Sequence, residues 1–260
     1  MNDWVFLRGL ARESRHWGDF PDVFAARMPD VRVVAIDLPG NGMHNDRRSP
    51  LAVEAVAAWC RDEARRLGVT LPCHVLAMSL GGMVAVSWAT SYPQEVAGAV
   101  LINTSLRPLN PVFQRMRPGG LLALLRAAAG GIGGTAREAR VLRLTSARGD
   151  PAGPLPRQWS EYARDRPVKP GNALRQLLAA ARFRAPATSP AVPLLVLAGA
   201  RDALVHPECS RRLAARWNCA FAEHPQAGHD LALDDGAWVA DQVARWIAGQ
   251  RRRGTAGRHP

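Results

Sequence analysis

One serine stands where the chain can turn directly from a strand into a helix. It lies in the small-residue run Ala77-Met78-Ser79-Leu80-Gly81-Gly82, between an apolar segment and a helical pattern. Small residues two before and two after a serine permit a strained turn that holds the hydroxyl above a sheet. The helix dipole is positive at such a turn, and the Leu80 N–H can donate to a developing oxyanion. We therefore interpret Ser79 as a nucleophile, with an ordinary small-residue turn as the alternative.

A carboxylate and an imidazole follow in the second half of the chain. The runs Gly199-Ala200-Arg201-Asp202 and Gly228-His229-Asp230 each come directly after an apolar segment. Open α/β sheets carry their functional groups at the carboxyl ends of strands, so both runs are expected to meet Ser79 there. The chain order Ser, Asp, His is the order of a triad built on such a sheet. Asp230 is the competing acid, but neighbours in sequence point their side chains apart, so we favour Asp202.

Apolar runs that alternate with helical patterns predict the elements that must position these groups. Alternation of this kind is typical of an α/β fold, a mostly parallel sheet with helices on both faces. Six segments are predicted as strands: Trp4 to Leu7, Val31 to Ile36, His74 to Met78, Ala97 to Ile102, Pro193 to Leu197 and Cys219 to Glu223. Helices are predicted at Pro50 to Leu67, Gly81 to Tyr92, Pro207 to Trp217 and Asp235 to Ala248.

The alternation is interrupted once, between Ser105 and Pro190, where Pro and Gly punctuate shorter helical patterns. We interpret residues 105–190 as a helical insertion into one domain, whose core is formed by residues 1–104 and 191–249. The basic tail, residues 250–260, is predicted to be disordered.

Composition and charge exclude several classes of protein. The chain has 260 residues, 47% of them hydrophobic, and its apolar stretches are too short to cross a bilayer. Most of the net charge of +12 lies in the insertion, which holds 14 arginines and one lysine against four acidic residues. No nucleic-acid recognition motif accompanies that charge, and four scattered cysteines form neither a disulfide nor a metal pattern. We expect a cytoplasmic protein, and binding of its basic residues to a nucleic acid or a membrane surface is the alternative to an activity on a small molecule.

Further turns resemble those of the α/β-hydrolase fold family, and the resemblance covers nearly the whole chain. Arg8-Gly9-Leu10 matches the family's His-Gly-x loop after the first strand, with arginine replacing the usual histidine. Trp17 stands where members often carry an aromatic residue, and Asp37-Leu38-Pro39-Gly40-Asn41-Gly42 resembles a structural turn of the family. The resemblance implies the α/β-hydrolase fold. It also makes the Leu10 N–H a second oxyanion donor beside that of Leu80.

The serine narrows the activities that this resemblance implies. Haloalkane dehalogenases and epoxide hydrolases of the fold use aspartate at the turn, so Ser79 argues against both. Hydrolysis through an acyl-serine remains, and we favour a carboxylic ester or thioester over a lactone, an amide or a carbon–carbon bond. His229 would take the Ser79 proton while Asp202 orients the imidazolium. No cofactor or metal is expected, and a catalytically silent binding protein of the same fold is the alternative.

The insertion resembles the family's cap, in which substrate choice is expected to lie. We predict an acyl pocket lined by Phe113, Leu121, Leu125 and Trp159, together with Trp17 from the core. The alternative is that these apolar residues only seat the insertion on the core.

The arginines of the insertion allow three interpretations: a solvated face, a docking surface for an acidic acyl carrier protein, or contacts with a substrate carboxylate or phosphate. The small size and the Gly9-Leu10 loop with Trp17 resemble the pimeloyl-acyl-carrier-protein methyl ester esterases, whose basic cap meets a carrier protein. Arg137, Arg140 and Arg143 fall at i, i+3 and i+6 of a predicted helix and are the candidate docking residues.

Overall fold

The strands form one sheet in which every pairing is parallel. A computed structural model describes residues 2–128 and 134–256, and gives only the backbone of residues 125, 127, 128 and 253–256. The strands are β1 (Asn2–Leu7), β2 (Val31–Ile36), β3 (Cys73–Met78), β4 (Val96–Ile102), β5 (Leu194–Gly199) and β6 (Ala220–His224). Their order across the sheet is β2-β1-β3-β4-β5-β6. The predicted parallel α/β sheet is confirmed.

Helices cover both faces of this sheet. In the described part of the chain they are α1 (Phe20–Arg27), α2 (Val53–Arg66), α3 (Leu80–Ser91), α4 (Val112–Arg115), α5 (Pro118–Ala128), α6 (Thr135–Thr145), α7 (Leu155–Asp165), α8 (Pro170–Arg182), α9 (Glu208–Trp217) and α10 (Leu231–Ala256). Short 3-10 turns lie at Ser14–Trp17, Gly42–His44 and Pro93–Glu95. Helices α4 to α8 all fall between β4 and β5, within the insertion.

The apolar runs form strands because both sides of the sheet are buried. Every residue of β5 is buried, which suits a continuous apolar run in a parallel sheet covered on both faces. On one face Phe24 of α1 and Val243 of α10 join the core. On the other face Val56 of α2 and Val84 of α3 do so. The two helix layers therefore hold the strands from opposite sides.

The central strands end at one level, which gathers distant segments of the chain at one edge. Leu7 lies beside Ala77 in the register, and Ala77 lies beside Leu101. Ile102 in turn lies beside Leu197. The loops that leave these strands therefore begin side by side, at the carboxyl edge that the sequence predicts for the functional groups.

The last helix is kinked at its predicted start and extends past its predicted end. A short helical piece from Leu231 meets the longer one at Asp235, whose non-helical backbone (φ −156°, ψ 74°) marks the kink, so the longer piece begins where the sequence predicts. Residues 250–256 are helical where disorder is expected, because arginine is a good helix former and extending an existing helix costs little. Residues 257–260 lie outside the described residues. None of the described helices is long and apolar enough to span a membrane.

Candidate active site

Ser79 forms a strained turn between β3 and α3. Its backbone has φ 55° and ψ −116°, a region that residues with a side chain rarely adopt. The Ser79 N–H donates to Ile102 O at 2.9 Å, and Thr104 Oγ1 donates to Ser79 O at 2.8 Å. A β-carbon at Gly81 would lie 2.5 Å from Leu7 O, so glycine is required for the helix to start this close to β1. Neighbouring strands thus hold the serine in place.

The loop after β1 passes directly against the serine side chain. A β-carbon at Gly9 would lie 3.0 Å from Ser79 Cβ and 3.5 Å from Ser79 Oγ. Leu10, the next residue, lines the same cavity as Ser79. Leu80 is the first residue of α3, so its N–H has no acceptor within the helix. Leu10 and Leu80, whose backbone amides are predicted to bind an oxyanion, therefore both lie close to the serine.

His229 is hydrogen-bonded to Asp202 and shares a cavity with Ser79. Its Nδ1 lies 2.7 Å from Asp202 Oδ2, so Nδ1 carries the proton that is donated to the carboxylate and Nε2 is left as an acceptor. The second carboxylate oxygen of Asp202 accepts from the N–H groups of Leu204 and Val205, at 2.8 and 2.9 Å. These bonds fix the carboxylate in a buried position, since Asp202 is 1% exposed.

The charges around His229 favour its protonated form. Burial lowers the pKa of the imidazole, but the charge and hydrogen bond of Asp202, together with the charge of Asp230, more than offset burial. Arg8 acts in the opposite direction. The pKa of His229 is consequently raised above its ordinary value of 6.5.

Asn103 joins the histidine loop to the acid loop. Its Nδ2 donates to Gly228 O at 3.0 Å and to His229 O at 2.8 Å, while its Oδ1 accepts from Gly199 N at 2.9 Å. The backbone is left-handed here, with φ 47°, which asparagine tolerates better than most residues. The sequence analysis did not identify Asn103. Its position directly after an apolar strand, where functional groups of such sheets lie, is the feature of the sequence that could have identified it.

Arg8 and Asp230 form a buried ion pair at the wall of the same cavity. Arg8 Nη1 donates to Asp230 Oδ1 at 3.1 Å and Arg8 Nη2 to Asp230 Oδ2 at 2.6 Å. Both side chains are 3% exposed. Asp230, the competing acid of the sequence analysis, is thus engaged by the arginine that replaces the family's usual histidine.

The cavity beside Ser79 is small and mostly apolar. Its volume is about 80 Å³. The apolar part of its lining comes from the insertion and from the loops of the core: Leu10, Met78, Met116, Leu124, Val141, Leu204 and Val205. Ser79 and His229 both line this space, so a group bound here would lie against the nucleophile and the base.

A second cavity of about 100 Å³ adjoins the first and is more polar. The two share part of their lining, namely Leu10, Arg12, Leu124 and Val141. Arg12 Nη1 donates to Glu138 Oε2 at 2.9 Å and also lies 2.9 Å from His16 Nε2. Burial and the neighbouring arginines hold the pKa of His16 well below 6.5, so its ring is neutral. In the described residues no group of three or more His, Cys, Asp or Glu side chains is arranged to hold a metal ion.

Comparison with known proteins identifies the family. The model of the alpha/beta hydrolase family matches residues 4–242. The chain belongs to the alpha/beta hydrolase family.

Relatives of this alpha/beta hydrolase include esterases. A pimeloyl-acyl-carrier-protein methyl ester esterase of Aeromonas hydrophila is 35% identical over 107 residues, which cover 40% of this chain and 38% of that protein. The match therefore spans about two fifths of that relative's length. A protein of the same name from Xanthomonas oryzae pv. oryzae is 28% identical over 268 residues, covering 94% of each chain.

Solved structures share the fold of this alpha/beta hydrolase. A thermophilic esterase from Thermogutta terrifontis has a TM-score of 0.70 at 21% identity, covering 96% of this chain and 90% of that one. The 2-hydroxy-6-oxo-6-phenylhexa-2,4-dienoate hydrolase from Rhodococcus sp. strain RHA1 has a TM-score of 0.74 at 16% identity, covering 95% and 90%. At these identities the likeness concerns the fold.

Trp17 and Trp159, both predicted to line a substrate pocket of the alpha/beta hydrolase, lie behind its walls. Trp17 is 3% exposed and packs against Phe6 with ring centroids 5.3 Å apart. The Arg8 guanidinium lies 4.7 Å from the Trp17 ring, and that of Arg12 lies 4.4 Å from the Trp159 ring. A large indole buries most area in the core, so each tryptophan supports an arginine of the wall without lining the cavity.

Phe113 and Leu121 are also not in the pocket predicted from the sequence. They are 59% and 37% exposed, on the outer surface of the insertion. Residues four apart share a helix face, so Gly120 and Leu124 point inward from α5 while Leu121 does not. The prediction selected apolar residues without considering which face of the helix each of them lies on. The Leu125 side chain lies outside the described residues.

The three candidate docking arginines of α6 differ in exposure and in contacts. Arg137 lines the second cavity, and its Nη1 donates to Glu138 Oε1 at 3.0 Å. Arg140 and Arg143 are exposed. The Arg137 side chain is 26% exposed, so Arg140 and Arg143 are the more accessible members of the set.

Proposed function

We propose that this alpha/beta hydrolase cleaves carboxylic esters through an acyl-enzyme intermediate on Ser79. The observation that carries the proposal is the placement of Ser79, at a strained turn, in one small cavity with an imidazole whose Nδ1 is hydrogen-bonded to Asp202. Acyl transfer requires a nucleophile, a base and a carboxylate that orients the base, and Ser79, His229 and Asp202 supply these three groups. The ester hydrolases among the relatives support the same class of reaction.

The reaction proceeds by four proton transfers at His229, two as the acyl-serine forms and two as it is hydrolysed. Nε2 accepts the Ser79 hydroxyl proton as Oγ attacks the ester carbonyl, and the Leu10 and Leu80 N–H groups stabilise the oxyanion. The imidazolium then gives that proton to the leaving alkoxide, which departs as the alcohol. A water deprotonated by His229 attacks the acyl-serine and releases the carboxylic acid while Ser79 regains its proton. Asp202 holds the imidazole tautomer throughout.

The cavity favours a small group next to the nucleophile. Its volume of about 80 Å³ is well below the roughly 150 Å³ of an apolar cavity that accommodates benzene. A methyl or other short ester fits this space. That inference agrees with the methyl ester esterases named among the relatives.

We also propose that exposed arginines of the insertion dock an acidic acyl carrier protein. Arg140 and Arg143 lie three residues apart on α6 and are both exposed, so they share a face. Such a patch would steer a negatively charged partner. The alternative is a solvated face that affects no substrate.

The test combines covalent labelling with an ester series. Wild-type protein should react with a fluorophosphonate probe, with the adduct located on the Ser79 peptide by mass spectrometry. It should also hydrolyse p-nitrophenyl and methyl esters of increasing chain length, fastest for short alkoxy groups. Ser79→Ala should lose about a million-fold in turnover and all labelling. Ser210→Ala, which alters another buried serine, is the matched control and should keep full activity. Hydrolysis retained by purified Ser79→Ala would refute the proposal.

A further inference from the structure

We propose that the Arg8–Asp230 ion pair is a positioning device that holds the oxyanion loop and the histidine loop at a fixed separation. The inference rests on the proposed function and assigns a task to two residues outside the triad. Arg8 immediately precedes Gly9 and Leu10, and Asp230 immediately follows His229. The Arg8–Asp230 contact therefore connects the loop that carries the proposed oxyanion donor, Leu10, to the loop that carries the proposed base, His229.

The geometry of the pair suits this task. Two parallel N–H···O bonds, of 3.1 and 2.6 Å, fix both the distance and the mutual orientation of the guanidinium and carboxylate planes. Arg8 is held from behind by the Trp17 ring, 4.7 Å from its guanidinium carbon. The Asp230 N–H donates to Thr145 O at 2.6 Å, which ties the same point to α6 of the insertion.

Stability alone is a weak explanation for this pair. Two charges with 3% exposure lose their hydration, and an apolar pair of similar volume often stabilises a fold equally well or better. What an apolar pair cannot reproduce is the fixed bidentate geometry. Replacing both residues by apolar ones thus separates a contribution to folding from a contribution to alignment.

The pair also balances the electrostatic field at His229. Asp230 raises the pKa of the imidazole and Arg8 lowers it, so the two members of the pair act on that pKa in opposite directions. The other charged groups close by are Asp202, which is bonded to the ring, and Arg12 at the cavity wall. Arg117 Nη1 also donates to the backbone carbonyl oxygen of Asp202 at 2.8 Å. Removing one member of the pair leaves an unbalanced charge beside the base.

The decisive variant is Arg8→Met/Asp230→Leu, compared with wild-type protein, Arg8→Met, Asp230→Asn and Arg8→Lys. Steady-state kinetics with a neutral p-nitrophenyl ester, a pH profile of kcat/KM and thermal unfolding are measured for each. A matched control is Asp3→Leu/Arg32→Met, which removes another bidentate pair (3.0 and 2.6 Å) at the opposite end of β1.

If the pair positions the loops, the double variant should unfold near the wild-type temperature but lose about 100-fold in kcat, the effect of a displacement of about 1 Å. Its KM should stay within about threefold of wild type, since the ground state does not use the oxyanion donors. Arg8→Lys keeps the charge but not the fork, and should lose about tenfold in kcat. Asp230→Asn should move the acidic limb of the profile to lower pH and Arg8→Met to higher pH, with the double variant between them. The Asp3/Arg32 control should keep wild-type kcat.

Two results would overturn the inference while leaving the hydrolase proposal intact. One is a folded double variant with wild-type kcat. The other is an increase in KM alone, which would make Arg8 a substrate contact and not a positioning residue. Wild-type protein that neither hydrolyses the ester nor reacts with a fluorophosphonate would overturn the hydrolase proposal, and this inference with it.

Discussion

The side-chain amide of Asn103 donates a hydrogen bond of 2.8 Å to the backbone carbonyl oxygen of His229. The same side chain also bonds Gly228 O and Gly199 N, so it connects the loops after β5 and β6. Position and direction of the imidazole therefore depend on a residue that follows β4 and has no part in the chemistry itself.

Asn103→Gly should lower turnover without altering any reacting group. Glycine accepts the left-handed backbone at φ 47°, so the change removes the hydrogen bonds without adding strain. Each buried group left without a partner costs about 1 to 3 kcal/mol, which thermal unfolding should detect. We expect kcat on a p-nitrophenyl ester to fall about 100-fold through misplacement of His229. Asn218→Gly is the control because Asn218 also has φ 47° but ends α9 on the surface, and it should leave kcat unchanged. An Asn103→Gly enzyme with wild-type kcat would show that the two loops keep their positions without the hydrogen bonds of Asn103.

Asp202→Asn should reduce kcat about ten-thousand-fold by disturbing the tautomer of His229. The Asp202 charge raises the pKa of His229, so the acidic limb of the pH profile should also move to lower pH. Asp230→Asn should lower kcat only about 100-fold, because it misaligns His229 without changing its tautomer. Asp62→Asn, at a carboxylate 72% exposed, serves as the surface control. A larger loss for Asp230→Asn than for Asp202→Asn would reverse the assignment of the acid.

The pH profile of kcat/KM should show an acidic limb with its midpoint above 6.5. The base must be neutral to accept the Ser79 proton, and the folded protein raises the pKa of His229, so protonation inactivates the enzyme at a higher pH than for free histidine. The stability of the fold depends on pH in the opposite direction from activity. Because the pKa of His229 is raised in the folded protein, its protonation stabilises the fold below pH 6.5, and this contribution is lost as the pH rises through the folded-state pKa.

His16→Gln provides the control for this profile. The His16 pKa is held well below 6.5, so its ring does not titrate in the relevant range. Its replacement should leave the midpoint in place. A wild-type midpoint below 6.5 would contradict the balance of charges described for His229.

Arg140→Glu/Arg143→Glu should weaken turnover of a carrier-bound acyl ester while sparing a p-nitrophenyl ester. We expect about a tenfold loss in kcat/KM at low salt, which shrinks as salt screens the attraction. Arg216→Glu/Arg245→Glu makes the same change in charge on exposed residues of α9 and α10, and should have little effect. Equal losses in both double variants would indicate a general effect of charge, and no loss in the Arg140/Arg143 variant would leave a small-molecule esterase.

The substrate cavity illustrates what residue type alone cannot determine. Leu121 and Leu124 are the same residue three positions apart on α5, yet Leu124 lines the cavity and Leu121 is 37% exposed. Which of them faces inward depends on how the helix is rotated against the core. Packing such as that of Gly120 on Leu204 sets this rotation, through contacts between segments far apart in sequence.

The sequence by itself determined the parallel sheet and its strands, because continuous apolar runs between helical patterns fit only a sheet that is covered on both faces. It also determined the turn at Ser79, since that conformation depends on the small residues beside it. The sequence favoured Asp202 over Asp230 as the acid, whereas only the tertiary structure showed the bond from the imidazole to Asp202 and the pairing of Asp230 with Arg8. Such contacts join residues 27 and 222 positions apart, and their geometry depends on where whole strands end and on which groups share the same buried space.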